Sequence, residues 1–282
     1  MARKIIYIIG LAHSGSTVLD MLMTTSGKAV GLGQVWKVLG ENVATTRGRF
    51  CSCGAPATGC EFWAPVIEQL ERLTDKAPPG HRYQVVLDRV ESMYGSKIAI
   101  VDSSKHAEHL SVLANEVPGV DVAILHNIKD VRPFTISILD TLARKGCRRE
   151  LPEKLFYQWY RNNRASHAMA ERLLGRPPVR VMYEGVCLET EAVAERLAHT
   201  LGDHYIDPNA ALDCGQTHII SGNRLRLAEG KKAKQLSYDY RWLVRSEWLR
   251  PYVLMSMVRK YNEQCLRELG NLGLRQARHE GP

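Results

Sequence analysis

Apolar and polar positions along this chain follow two rhythms. Short unbroken apolar runs of strand length cover Lys4 to Ile9, Lys97 to Val101, Val120 to Asn127 and Val179 to Met182. Between them apolar residues recur at helical spacing. The helical segments are Ser16 to Thr25, Trp63 to Leu73, Gln84 to Tyr94, His106 to Asn115, Arg132 to Lys145, Pro152 to Leu174 and Thr190 to Leu201. A continuous apolar run belongs to a strand covered on both faces, and alternation with helices is the signature of βαβ units. The pattern predicts an α/β fold with a central, mostly parallel sheet flanked by helices in three layers. In such sheets ligands sit beyond the carboxyl ends of the strands, so the loops leaving the strands are where chemistry belongs.

The first of these loops is the most specific. Ile5 to Ile9 runs into Gly10-Leu11-Ala12-His13-Ser14-Gly15-Ser16-Thr17 and then into a helical pattern. This nearly spells the P-loop G-x-x-x-x-G-K-[ST], but Ser16 stands where the lysine belongs. That lysine reaches the β- and γ-phosphates of a nucleoside triphosphate. The turn keeps backbone amides that hold a phosphate and lacks the group ATP chemistry needs. The same turn could also do no more than cap a helix. The domain is therefore P-loop-like, and residues 1–282 are read as one domain, with a polar tail from about 275 expected to fray. Gly230-Lys231-Lys232-Ala233-Lys234 reads as an exposed basic loop.

Two further loops carry polar clusters. Asp102-Ser103-Ser104-Lys105-His106 follows the strand ending at Val101, and can be a site or a helix start with a serine cap. Asn127-Ile128-Lys129-Asp130-Val131-Arg132 follows Leu125, with Ser137 on the helix beyond. A cation at the strand end and a hydroxyl on the helix can grip one phosphate from two sides; a solvated charged turn has the same composition. The net charge of +8 suits an acidic ligand without choosing one. The start Met1-Ala2-Arg3-Lys4 leads into an apolar run too short for a signal peptide, and no segment has transmembrane length. The expectation is a soluble, cytoplasmic protein. Seven scattered cysteines, an odd number, do not form an extracellular disulfide framework.

Taken in order, these loops resemble the sulfotransferases that use 3′-phosphoadenylyl sulfate (PAPS), in particular the bacterial and tyrosylprotein-type branch. In that family the first loop is an R-S-G-[ST]-[ST] turn on the 5′-phosphosulfate; here His13 replaces the arginine, followed by Ser14, Gly15, Ser16 and Thr17. A second element, R-D-P-R with a serine eight positions after its first arginine, binds the 3′-phosphate; here it is Lys129-Asp130-Val131-Arg132 and Ser137. Asp102-Ser103-Ser104-Lys105 resembles a D-S-S-K signature whose lysine approaches the sulfuryl group. Val181-Met182-Tyr183-Glu184 resembles a strand-end contact near the nucleotide, and Gly222-Asn223-Arg224-Leu225-Arg226 a late loop that closes over it. The resemblance spans residues 4 to about 245.

The resemblance implies transfer of a sulfuryl group from PAPS, as co-substrate, to a hydroxyl or amine of a small-molecule or glycan acceptor, releasing adenosine 3′,5′-bisphosphate. It implies no required metal, no nucleic-acid partner and no membrane span. Lys105 is the expected catalytic cation. The family's L-G-E is Leu32-Gly33-Gln34 here, and glutamine accepts no proton at neutral pH. His13, Asp102, Glu41 and His106 are the candidates for the base, with His13 intrinsically best suited. Lys129 keeps the charge of an arginine without its fork. Expected cofactor contacts are His13, Ser14, Gly15, Ser16, Thr17, Lys129, Ser137, Tyr183, Gly222, Asn223, Arg224 and Arg226.

Cys51, Cys53 and Cys60 form a C-x-C-x6-C cluster ahead of Phe62-Trp63. Three thiolates could begin a zinc site completed by Cys214 or a histidine, although the spacing matches no standard zinc signature. A local disulfide and three packed free thiols are the alternatives, and the expectation is that no metal is bound. Trp159, Trp242 and Trp248 read as core. Two other functional classes remain: a P-loop small-molecule kinase using ATP, and a non-enzymatic polyanion binder drawn by the positive charge.

Overall fold

The computed structural model describes residues 2–40, 43–73, 76–148, 150–212, 216–227 and 236–276. The elements run β1 (Arg3–Gly10), α1 (Ser16–Leu22), β2 (Ala29–Gly33), α2 (Val35–Gly40), α3 (Val43–Arg47), α4 (Trp63–Arg72), α5 (Pro79–Tyr94), β3 (Ala99–Lys105), α6 (Leu110–Glu116), β4 (Val120–Ile128), α7 (Val131–Arg144), α8 (Pro152–Leu174), β5 (Val179–Met182), α9 (Tyr183–Leu188), α10 (Thr190–Leu201), α11 (Leu249–Leu254) and α12 (Ser256–Gln276). The strands form one sheet in the order β2-β3-β1-β4-β5. Every pairing is parallel, with Ile5 opposite Ile100 on one side and Val122 on the other.

The unbroken apolar run of β1 has its reason here. Ile5, Tyr7 and Ile9 face the core under α4 and α5, and Ile6 and Ile8 face the core under α1 and α10. All five are fully buried, which is the three-layer burial the pattern predicted. The chain leaves β1 for β2 at the edge, returns to β3 beside β1, and crosses to β4 on the other flank. The loops leaving β1 and β4 therefore diverge at the carboxyl end of the sheet, the place where such folds open a crevice.

Two strand assignments change, and among the helices α5 starts earlier than expected, at Pro79, α6 later, at Leu110, and α12 is additional. β2 is an additional strand, Ala29-Val30-Gly31-Leu32-Gly33, whose two glycines weaken its strand signal. Both are required by packing: a Cβ on Gly31 would lie 2.3 Å from the Asp20 carboxylate, and one on Gly33 2.6 Å from Ile219. Second, Asp102 to Lys105 is the end of β3 and not a loop after it. The run stays in the sheet because its polar groups find partners there. The Ser103 hydroxyl donates to Asp20 (2.6 Å), the Ser104 hydroxyl to Asp102 (2.5 Å), and Tyr83 to the other oxygen of Asp102 (3.0 Å). Among the described residues no helix is long and apolar enough to cross a membrane. The basic run 230–234 lies outside the described residues.

Candidate active site

The turn after β1 is shaped by backbone close approach. Gly10 sits at φ +149 with a would-be Cβ 2.4 Å from the Asn127 carbonyl, so the β1 exit can lie against β4 only as glycine. The Asn127 amide donates to the Ser14 carbonyl and hydroxyl (2.9 and 3.2 Å), which pins the loop to the β4 end. Gly15 begins α1 in the left-handed region, φ +89, and a Cβ there would strike the Tyr183 ring at 2.3 Å. The first-turn amides of a helix have no acceptor inside it. Here those residues, Gly15, Ser16 and Thr17, line a cleft of ≈ 1210 Å³.

The cleft gathers residues from many separate segments. Besides the first loop it is lined by Lys105 and His106 from the β3 end, Lys129 from the β4 end, Ser137 on α7, Tyr183 at the β5 end, and Gly222 and Asn223. The last two are closed onto the first loop: the Asn223 amide donates to the Thr17 hydroxyl (3.2 Å), and Gly222 leaves no room for a Cβ beside it. Lys37, Lys145 and Arg241 also line the cleft, as do Gln34, Asn162, Ser166 and the run Tyr238-Asp239-Tyr240. Five cationic side chains line it against two carboxylates, Glu108 and Asp239, a balance that favours an anionic ligand.

His13 and Lys105 are the two non-glycine residues with positive φ among the described residues, 71 and 75. Both line the cleft, and such backbone persists only where surrounding structure enforces it. His13 Nδ1 lies 2.9 Å from the Ser137 hydroxyl. Burial, then Lys105 and Lys129, lower its pKa to about 4, so the imidazole is neutral at physiological pH. Burial also lowers Lys105 to about 8, with Lys37 adding to the effect. Lys129 is 5% exposed and its pKa is lowered by burial. Its ammonium lies 3.7 Å from Asp239 and 4.4 Å from the centre of the Tyr183 ring.

Asp130 and Arg132 support this arrangement from behind. Asp130 caps α7 by accepting from the Arg132 amide (2.8 Å), and the Arg132 guanidinium returns to its carboxylate at 2.6 Å. Asn262 on α12 donates to Asp130 (3.1 Å) and accepts from the Val131 amide (2.9 Å). Arg132 also lies over the Trp242 ring at 4.5 Å. Trp159 and Trp242 are buried, in keeping with a core role.

The expected site residues thus divide. His13, Gly15, Ser16, Thr17, Lys105, Lys129, Ser137, Tyr183, Gly222 and Asn223 share the cleft. Ser14 is buried behind it, held by Asn127. Asp102 does not line it: the carboxyl is fully buried, bonded to Tyr83 and Ser104, and raised by burial to about 7. That position suits a brace for β3 rather than a base. The Arg226 guanidinium folds back on the Gly222 and Asn223 carbonyls, both 3.3 Å. The Arg224 side chain, Glu41 and Cys214 lie outside the described residues. The segments Gly33 to Thr46 and the long helix from Pro152, expected from the sequence to line the acceptor side, do reach the cleft through Gln34, Lys37, Asn162 and Ser166. Sequence reasoning did not single out Tyr238 to Arg241 or Lys145, for which the aromatic–acid alternation Tyr238-Asp239-Tyr240 was the available signal.

No protein-family model matches this chain, and no curated protein matches it. Its fold is similar to solved sulfotransferase domains at low identity. The sulfotransferase domain from the curacin biosynthetic pathway aligns with a TM-score of 0.52 and 14% identity, covering 90% of this chain and 98% of that one. The sulfotransferase domain from the Synechococcus PCC 7002 olefin synthase aligns at 0.47 and 14% over 90% and 95%, and a sulfotransferase from Alicyclobacillus acidocaldarius at 0.45 and 14% over 76% and 87%.

Proposed function

We propose that this chain is a sulfotransferase that moves a sulfuryl group from PAPS to a hydroxyl or amine acceptor. The observation that carries the reading is the convergence in one cleft of the lysine-free first loop, Lys105, Lys129 and Ser137. Lys105 and Lys129 line the same cleft as the phosphate-holding turn, which suits a ligand phosphorylated on both the 3′ and the 5′ hydroxyl of one ribose. The fold shared with the curacin-pathway domain agrees with it.

In this reading the Gly15 to Thr17 amides hold the 5′-phosphosulfate, and Lys129 with Ser137 holds the 3′-phosphate. The acceptor oxygen or nitrogen attacks sulfur, and the bond from sulfur to the bridging phosphate oxygen breaks. That oxygen leaves with the electron pair as adenosine 3′,5′-bisphosphate. Lys105 stabilises the charge that develops on it. The acceptor's proton passes to His13, which is neutral, lines the cleft, and can take it where Gln34 cannot. A soluble, cytoplasmic setting and a small-molecule or glycan acceptor complete the proposal.

The direct test is thermal unfolding with adenosine 3′,5′-bisphosphate against Mg-ATP. The bisphosphate raises the Tm progressively with concentration, as linkage requires, and Mg-ATP does so far less. Equal stabilisation by Mg-ATP overturns the reading in favour of a kinase. A second expectation follows from His13. Two of the causes depressing it are Lys105 and Lys129, and a bound anion offsets both. Its pKa therefore rises in the complex and His13 takes up protons on binding, while the ligand phosphates, whose second pKa is about 6, release them. Calorimetry at pH about 6 in buffers of different ionisation enthalpy will show a more positive net proton uptake for the wild type than for His13→Asn; equal proton counts in the two contradict it.

A further inference from the structure

Away from the cleft, three thiols and one imidazole converge. Cys51, Cys53, Cys60 and His218 offer ligand atoms that all lie within 4.8 Å of one another. The Cys53 and Cys60 sulfurs are 3.6 Å apart, and His218 Nδ1 is 3.3 Å from the Cys60 sulfur and 3.8 Å from that of Cys51. A tetrahedral zinc ion with Zn–S of about 2.3 Å and Zn–N of about 2.0–2.1 Å needs S–S edges of about 3.8 Å and S–N edges of about 3.5 Å. These three distances lie near those edges. The 3.6 Å between the Cys53 and Cys60 sulfurs is far too long for a disulfide, whose sulfurs sit about 2.05 Å apart, and all three thiols are free.

The surroundings are those of ligands held in place. The turn that carries Cys51 and Cys53 is closed by Gly54 N–H to the Cys51 carbonyl (3.0 Å) and Cys51 N–H to the Ala55 carbonyl (2.8 Å). On the imidazole, Nε2 lies 2.7 Å from the Tyr94 hydroxyl. Donation from Nε2–H to that oxygen leaves the Nδ1 lone pair toward the sulfurs, the usual way a metal-ligating histidine is fixed. Phe62 stacks on the ring at 5.1 Å, and the Trp63 indole donates to the His218 carbonyl. Cys51, Cys60 and His218 are buried.

We propose that Cys51, Cys53, Cys60 and His218 bind one structural zinc ion. With four protein ligands the site is closed, so the ion has no open position for substrate and serves the fold. What it joins is specific. Three ligands come from the loop between α3 and α4, and the fourth from the segment after residue 216. That segment is laid on β2 by Gly31 N–H to the Gln216 carbonyl (3.0 Å) and His218 N–H to the Gly31 carbonyl (2.7 Å). Three residues later it becomes Ser221-Gly222-Asn223, the wall of the cleft. The sequence spacing alone did not point to this set, because His218 lies 158 positions from Cys60 in the chain. The proposal departs from the expectation that no metal is bound, and it stands whether or not the cleft carries sulfuryl transfer.

The test is metal analysis of the full chain purified without a metal-affinity step. About one zinc per chain is expected, released together with thiol reactivity when the protein is treated with a mercurial and a colorimetric chelator. Refolding with cobalt(II) should give the visible d–d bands of a tetrahedral site and sulfur-to-cobalt charge transfer. Cys53→Ser and His218→Gln should each lower the metal content or shift the cobalt spectrum, and Cys147→Ser, at an exposed thiol elsewhere, should change neither. Chelation should also speed hydrogen exchange at the His218 and Ile219 amides. A metal-free chain whose reduced thiols give no cobalt spectrum overturns the proposal. So does a disulfide among the three cysteines in the native protein, or unchanged zinc in both ligand variants.

Discussion

Lys105→Ala will slow release of adenosine 3′,5′-bisphosphate from PAPS by about 10²–10³-fold, the usual cost of removing one donor to developing charge. The reaction can be followed without knowing the acceptor, because transfer to water yields the same nucleotide product. The loss should fall on kcat, with bisphosphate affinity changed little, since the lysine is assigned to charge that appears only as the bridging bond breaks. The pH profile adds an independent readout. Burial lowers Lys105 to about 8 in the free protein, and only the protonated lysine can stabilise an oxyanion. Wild-type kcat should therefore decline on the alkaline side, with an apparent pKa at or above about 8 because the bound phosphates favour the ammonium. Lys105→Met, which preserves much of the chain's bulk, should lack that limb. A Lys105→Ala enzyme that turns over normally removes the residue from the mechanism while leaving the fold and the ligand in place.

The sheet was legible because its strands are buried on both faces. Ile5 to Ile9 could not be mistaken for a half-exposed strand, and the expected strand Lys4 to Ile9 matches β1 to within a residue at each end. α8, Pro152–Leu174, and α10, Thr190–Leu201, were readable to the residue; the first starts at a proline placed where a helix tolerates it, and both stop at a left-handed glycine, Gly175 and Gly202. β2 was hidden by Gly31 and Gly33, whose conservation of space for Asp20 and Ile219 is a tertiary fact. The Asp102 to Lys105 run read as a loop for a related reason: its serines and aspartate are polar, but their partners Asp20 and Tyr83 come from elsewhere in the chain. The first loop and Lys129 were visible as local patterns. The opposite wall, Tyr238 to Arg241, and the pairing of His218 with three distant cysteines were not, because neither is encoded by spacing along one element.

Lys129→Ala will weaken adenosine 3′,5′-bisphosphate binding by about 1.5–3 kcal/mol, the range for hydrogen bonds to charged groups, or roughly 10- to 150-fold. The side chain is buried at the β4 end over the Tyr183 ring, with its backbone carbonyl fixed by the Trp159 indole (2.9 Å). Its position is therefore fixed by the structure around it. If its contact is the 3′-phosphate, affinity for adenosine 5′-monophosphate should be unchanged in the same variant. Equal losses for both nucleotides would mean that the variant damages the pocket generally, and no loss for either would remove Lys129 from the site. Lys129→Arg should hold affinity within a few-fold or improve it, because the fork suits a phosphate. The carboxylate of Asp239, 3.7 Å from the ammonium, competes with any phosphate for the same charge. Asp239 also holds the Arg241 guanidinium at 2.7 Å, so Asp239→Asn should tighten bisphosphate binding by freeing both cations, and should do so less in the Lys129→Ala background. That non-additivity is what a double-mutant cycle measures, and it ties the two residues to one ligand phosphate more closely than either substitution alone.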